Sequence, residues 1–262
     1  MKNGFEILLT YWYGIPSMPE KRITKIKNAG FKYLSLHWCD EYESSNGKKE
    51  EIFNKCKLNG LQILVFHLPF EKANDLWKND ASGRQLFSIY KQSILDAHNN
   101  DVEYVVMHLN SDSKKLENIE IGLKRIAALL KYAEELNVNI AFENLQTEDQ
   151  LDKIEDMLNN YSSACLCFDV GHNNIKYSDF INLHKEKIKI MHIHDNLEKT
   201  DTHQTPFTGT VNWKKVYNLI KEINNHCLFV FEVQKQANEE ETPFLKNVYL
   251  AYEKMKKDLE KN

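Results

Sequence analysis

Arginine is scarce in this sequence. Only Arg22, Arg84 and Arg125 occur, in a chain with 34 Lys+Arg against 38 Asp+Glu. Planar, bidentate recognition of phosphates and base edges favours arginine over lysine. That shortage, with a net charge of −4 and an isoelectric point near 6.2, disfavours nucleic acid as a general partner, while leaving room for a local basic groove. Long apolar runs are also missing. None approaches the ~18 residues of a membrane span, and the opening Met-Lys-Asn-Gly-Phe-Glu lacks the apolar stretch and cleavage site of a secretory signal. The expected location is the cytoplasm. Five cysteines (Cys39, Cys56, Cys165, Cys167 and Cys227) form no CxxC pair, and their odd number suits reduced thiols. A thiolate zinc knuckle is disfavoured, and Cys165 and Cys167 read as packing on one strand face. No Gly-x-Gly-x-x-Gly phosphate loop follows any strand. No Pro/Gly/Ser-rich linker or break in composition divides the chain. At 262 residues it is expected to form one domain, residues 1–262, being too short for two ordinary cores.

What is present is alternation. Strand patterns fall at Phe5–Leu9, Tyr33–His37, Gln62–Phe66, Val102–Met107, Val138–Phe142, Ala164–Phe168, Lys187–Ile193 and Cys227–Phe231. Helical patterns lie between and after them, at about Met18–Ala29, Lys49–Asn59, Ser82–Asn99, Leu116–Asn137, Gln150–Asn160, Tyr177–Lys185, Trp213–Ile223 and Thr242–Leu259. The fourth helix shows the period most plainly, with Ile119, Leu123, Ile126, Leu130 and Ala133 on one face. Several strands are almost wholly apolar, as parallel strands covered on both faces should be. Eight β-then-α units predict an α/β fold, a single (β/α)8 TIM barrel. A doubly wound open sheet is the alternative, weakened by the missing phosphate loop.

In such a barrel the chemistry sits at the C-terminal ends of the strands. Those positions hold His67, His108, Glu143, Asp169, His172, His192, His194 and Glu232, and Asp201 and His203 follow in the next loop. Asp169-Val-Gly-His172 sends out a carboxylate, turns at Gly171 and brings an imidazole back over the same mouth. His192 and His194 are two apart, hence on one side of the chain. Mixed imidazole and carboxylate donors suit Zn²⁺, Mn²⁺ or Co²⁺ better than Mg²⁺ or Ca²⁺. The inventory suffices for one to three divalent ions. Buried lone carboxylates are costly unless paired or metal-bound, which favours ligation by Glu143, Asp169 and Glu232. A structural hydrogen-bonding role is the alternative for each histidine. His194 reads equally as a substrate contact or as a group orienting a ligand. His37 is expected at the pocket rim, and His98, His184 and His226 in solvent.

Together these segments (Val-Phe-His67-Leu-Pro-Phe, Val-Val-Met-His108, Ala-Phe-Glu143-Asn, Cys-Phe-Asp169-Val-Gly-His172, Met-His192-Ile-His194-Asp195-Asn and Phe-Glu232) resemble the xylose isomerase-like TIM-barrel superfamily. That superfamily includes sugar and sugar-phosphate isomerases and epimerases and the endonuclease IV-type apurinic-site nucleases. The resemblance implies, for epimerase-like members, a metal held at Glu143, Asp169, His192 and Glu232. Glu143 and Glu232 would then be the catalytic acid/base pair and His172 a substrate contact. For nuclease-like members it implies three zinc ions on His67, His108, Glu143, Asp169, His172, His192, Asp201, His203 and Glu232. The Gly-x-Gly expected after the loop histidine is reduced to Phe207-Thr-Gly-Thr210, with Gly209 alone matching.

The flanking loops favour a sugar. Thr10-Tyr-Trp-Tyr-Gly14 is aromatic, and Trp12, with His37 and Trp38, is expected to contact substrate; stacking on a base is the other use of such rings. Trp38-Cys-Asp-Glu-Tyr-Glu43 is acidic where a DNA phosphate would approach. The expected enzyme is a divalent-metal-dependent sugar or sugar-phosphate isomerase/epimerase acting on a ketose, with zinc or manganese as cofactor. Its partner is a small sugar or sugar phosphate, with no membrane, and assembly as a homo-oligomer is compatible with the sequence. An endonuclease IV-like phosphodiesterase is the alternative; a non-enzymatic sugar sensor is the third reading.

Overall fold

The computed structural model describes residues 7–40, 43, 47–111, 115–223 and 227–261. Eight parallel strands run in chain order, with neighbours hydrogen-bonded and β1 closing onto β8. They are β1 (Ile7–Thr10), β2 (Tyr33–His37), β3 (Gln62–His67), β4 (Tyr104–Met107), β5 (Asn139–Glu143), β6 (Ala164–Asp169), β7 (Ile188–His192) and β8 (Leu228–Phe231). The chain is a TIM barrel, as its alternating pattern predicted.

Two apolar layers hold it together. Leu8, Val65, Val106, Ala141, Cys165, Cys167, Ile190, Leu228 and Val230 point inward and fill the barrel. The opposite strand faces, including Leu9, Phe66, Phe142, Leu166, Met191 and Phe231, pack against the helices. All five cysteines are free and buried, so Cys165 and Cys167 serve as the small core residues their strand positions suggested.

Local chemistry sets the helix limits. Pro19 starts the first helix, Pro19–Ala29, and Gly30 ends it in the left-handed region at φ 104°. Asn118 caps Ile119–Leu136 by accepting from the Ile121 amide. Three expectations change. The segment expected as one helix over 150–160 divides into a 3-10 turn, Leu151–Ile154, and a helix, Glu155–Asn160. Tyr177–Lys185 shortens to Asp179–Leu183, its start fixed where Ser178 accepts from the Ile181 amide. A short helix, Val170–Ile175, leaves β6 directly because the Asp169 carboxylate accepts from the His172 amide at 2.6 Å. The expected strand residue Phe5, the loop residues Glu41 and Tyr42, and His226 lie outside the described residues.

Strand register places the site. Glu143 pairs beside Cys167, and Asp169 beside His192, so adjacent strands present their last residues at one rim. His37 pairs with His67 on the facing side.

Candidate metal centre and active site

Four sets of donors converge at the C-terminal mouth among the described residues. Within each set one ligand atom per residue lies within 4.8 Å of all the others: Glu143, Asp169, His192 and Glu232; His67, His108 and Glu143; Glu143, Cys167 and His192; and His172, His194, Asp201 and His203. Glu143 belongs to the first three, and Cys167 is also a residue of the barrel core. Its Oε2 faces His67 Nε2 at 3.2 Å and His108 Nε2 at 2.9 Å, while Oε1 faces His192 Nδ1 at 3.0 Å.

The backbone aims several of these imidazoles. Nδ1 of His67 donates to the Leu68 carbonyl, Nδ1 of His172 to the Asn144 carbonyl and Nδ1 of His203 to the Glu232 carbonyl. Each ring thereby turns Nε2 toward a carboxylate: His67 to Glu143, and His172 and His203 to Asp201 at 3.1 and 2.8 Å. A second ring nitrogen fixed in this way is how metal-binding histidines are commonly oriented. His194 donates from Nε2 to Asp169 Oδ1 at 3.0 Å. Its Nδ1 and the Oδ1 of Asp201 lie 3.8 Å apart, both buried without a hydrogen bond.

The electrostatics call for a cation. His192 Nδ1 stands 2.8 Å from Glu232, 3.0 Å from Glu143 and 3.6 Å from Asp169. One N–H cannot satisfy three carboxylates, and burying their charge uncompensated is costly. Burial opposes ionisation of all three, yet the adjacent imidazoles hold Glu143 and Glu232 well below the usual carboxylate range and lower Asp169 too. Burial likewise opposes a charged His172, but Asp169, Asp201 and Glu143 raise it to about 10. His203, also buried, is raised to about 9 by its bond to Asp201. His37 is different: burial and neighbouring His67 push it down to about 3, leaving a neutral ring. A divalent ion fits these donors in number, type and charge.

Above them lies a cavity of about 220 Å³. Trp12, His37 and Phe70 form one part of its wall and Ser111, Gln146, Thr147 and Gln234 bring polar groups. Nine expected residues line it: Trp12, His37, His67, His108, Glu143, His172, Asp201, His203 and Glu232. Asp169 and His192 lie fully buried at its floor.

Three expectations are corrected. Trp38 faces away from the cavity: its indole stacks on Phe66 with ring centres 4.1 Å apart and donates to Asp96 at 2.8 Å. Strand alternation explains this, because His37 takes the inward direction and the next residue turns to the helix layer. Of the two readings open for His194, its position fits the orienting one and not the substrate contact: it is fully buried behind Gly171 and bonded to the Asp169 carboxylate. Of the histidines expected in solvent, His98 is exposed, but His184 packs on Phe180 and faces Glu155 at 3.3 Å.

Supporting residues went unrecognised in the sequence. Asn144 accepts from the Asp169 amide and donates to the Asp169 carbonyl, tying β5 to β6 at the donor layer. Asp195 accepts from the amides of Asn196, Phe207 and Val211 and from the Trp213 indole. Its backbone pairs with Gln204 across an antiparallel bridge, and that clasp carries Asp201 and His203 to the mouth. The available signal was a polar residue beside a strand-terminal ligand. Gly209 is needed because an added Cβ would meet the Asn196 carbonyl at 2.2 Å.

A closed eight-stranded barrel with acid and imidazole donors at its C-terminal rim defines the class. The chain belongs to the xylose isomerase-like TIM barrel family, which it matches over residues 23–248. It is 25% identical over 182 residues to the uncharacterized protein MJ1311 of Methanocaldococcus jannaschii, covering 61% of this chain and 60% of that one. The curated relatives it matches are covered over only 34% to 60% of their own length. Among solved structures, a D-tagatose 3-epimerase-like protein superposes with a TM-score of 0.78 at 18% identity, covering 98% of this chain and 97% of that one. The zinc-bound IolI protein gives 0.73 at 16% identity, with coverage of 97% and 98%. At these identities the two structures establish the shared fold.

Proposed function

We propose that this protein is a divalent-metal-dependent isomerase or epimerase of a sugar or sugar phosphate. The observation that carries the reading is the position of Glu143 and Glu232. Both carboxylates belong to one four-donor set, with Asp169 and His192, and both line the same small cavity of about 220 Å³. Its aromatic wall suits a sugar ring, and its polar rim suits hydroxyl groups. The kinship in fold to a D-tagatose 3-epimerase-like protein agrees with this chemistry.

Asp169, His192, Glu143 and Glu232 would hold the ion, zinc or manganese by donor type. When bound, it supplies Lewis-acid polarisation of a ketose carbonyl and its neighbouring hydroxyl. Glu143, held ionised, takes the proton from the carbon beside the carbonyl. Glu232, ionised like Glu143 in the free protein, would act as the acid only after taking up a proton from solvent. It would then return that proton to the other face or the neighbouring carbon, and the roles reverse in the reverse reaction. His172, held through Nδ1 by the Asn144 carbonyl and through Nε2 by Asp201, lines the cavity as a fixed part of its polar wall. Trp12 and Phe70 limit water at the reacting carbons.

A second reading, phosphodiester hydrolysis with several ions, is favoured by one observation. The His67–His108–Glu143 and His172–His194–Asp201–His203 sets are complete beside the first. Opposing it, no lysine or arginine occurs among the described residues lining the cavity, where the successive phosphates of a DNA strand would require several cations. The deciding experiment is elemental analysis of chelator-free protein, followed by parallel assays on a panel of ketoses and on an abasic duplex. Ketose turnover without strand incision is the expected result. Three tightly held zinc ions with incision of the duplex would replace the isomerase reading by the nuclease one.

A further inference from the structure

The geometry points to Arg22 as the residue that positions the substrate-facing wall, a role resting on the proposed sugar chemistry. Arg22 is fully buried in the first helix, at 0% exposure. Its Cζ lies 4.9, 5.2 and 5.0 Å from the ring centres of Tyr11, Trp12 and Tyr13, three consecutive residues after β1. Its guanidinium also donates to the Ile15 carbonyl in the same loop. One cation thus gathers the faces of an entire irregular segment. Tyr11 and Tyr13 are buried, whereas Trp12 is partly exposed and reaches the cavity.

Burying a guanidinium is costly, so a hydrophobic side chain would fill this space more simply. What arginine adds is a flat, permanently charged group that stacks on rings while bonding a carbonyl, which lysine cannot imitate. The residues on either side of Trp12 are tied down: Tyr11 donates its amide to the Ser35 carbonyl, the Tyr13 carbonyl accepts from the Lys235 amide, and the Tyr13 hydroxyl donates to Glu241 at 2.6 Å. No regular structure spans Trp12 itself. The guanidinium on its face restrains the direction of its ring. Arg22 touches no reacting atom; it acts through Trp12, and so on how well a sugar is held against Glu143 and Glu232.

The test combines kinetics with ¹⁹F NMR of protein carrying 5-fluorotryptophan at its four tryptophans. The Trp12 resonance is assigned through Trp12→Phe. In Arg22→Lys the Trp12 signal should shift and broaden while those of Trp38, Trp77 and Trp213 stay in place. That readout needs no substrate, so it stands even where no ketose is turned over. On a turned-over ketose, KM should rise about tenfold, matching loss of one desolvated cation–π restraint, with kcat within about twofold. In a Trp12→Ala background, Arg22→Lys should leave KM unchanged. An unmoved Trp12 signal, or additive effects in the double variant, would overturn the assignment. If Arg22→Lys fails to fold, Arg22→Gln, which keeps the planar donor without charge, gives the same readings.

Discussion

A Cβ on Gly171 would lie 2.0 Å from Cε1 of His194 and 2.4 Å from its Nδ1. Gly171 thus serves as the floor on which an imidazole rests; its backbone is ordinary helix within Val170–Ile175. The contact lets His194 reach Asp169 while staying beside Asp201. Gly171→Ala should push the ring away, cost about 1–3 kcal/mol by overpacking, and lower the bound-ion content. Urea unfolding and elemental analysis check the two effects. Unchanged ion content would show that His194 does not support Asp169 as an ion ligand.

Glu143 couples three donor sets, whereas Asp201 belongs to one. Replacing Glu143 with Ala should therefore release more ion per chain than Asp201→Ala, as measured on protein purified without chelator. Glu232→Gln should abolish ketose turnover and leave a cooperative melt. Full activity in that variant would remove Glu232 from the acid/base role.

Removing the ion should lower stability, because it binds the folded arrangement and three carboxylates then surround one imidazole N–H. At an ion concentration of 100 times Kd, the linkage amounts to about 2.7 kcal/mol. The melting temperature should fall on chelation and return on adding zinc or manganese. Whichever ion restores it at the lower concentration is the better fit to the site.

The barrel was legible because its signals are local and repeated: apolar strands, amphipathic helices, and a polar residue where each strand stops. His67, Glu143, Asp169, His192 and Glu232 could be assigned to the mouth because each falls at or just past the C-terminal end of a strand. The short helix after Asp169 was not legible, because it begins with a side-chain cap from the proposed ligand itself. Nor was the direction of Trp38. One residue past a strand end, facing in or out depends on which partner is present, and the partner is Asp96, 58 residues away in sequence. The clasp made by Asp195 is likewise non-local, gathering donors from as far as Trp213.

Trp38 and Trp12 should separate in experiment. Trp38→Phe removes an indole bond to Asp96 and trims a stacked pair, so stability should drop by about 1–3 kcal/mol with KM unchanged. Trp12→Ala should raise KM on any ketose turned over. If Trp38→Phe altered KM at unchanged stability, its assignment to the helix layer would be wrong.

A pH effect is expected far from the donor sets. Glu241, in the helix Glu241–Lys261, accepts from the Tyr13 hydroxyl at 2.6 Å and from the Lys25 ammonium. Partial burial opposes its ionisation, but these two donors win and hold the carboxyl below its ordinary value. A carboxylate with a lowered folded-state pKa stabilises fully above its unfolded value, about 4.3. The contribution is lost as pH falls through the folded-state value. Wild type should therefore exceed Glu241→Gln in urea midpoint at pH 7, and the gap should narrow below about pH 4 as both side chains become neutral. Midpoints at about pH 7, 5, 4 and 3 for both proteins measure it. A gap constant across that range would assign the effect to packing of the side chain, and one that widened toward acid would contradict the ion pair altogether.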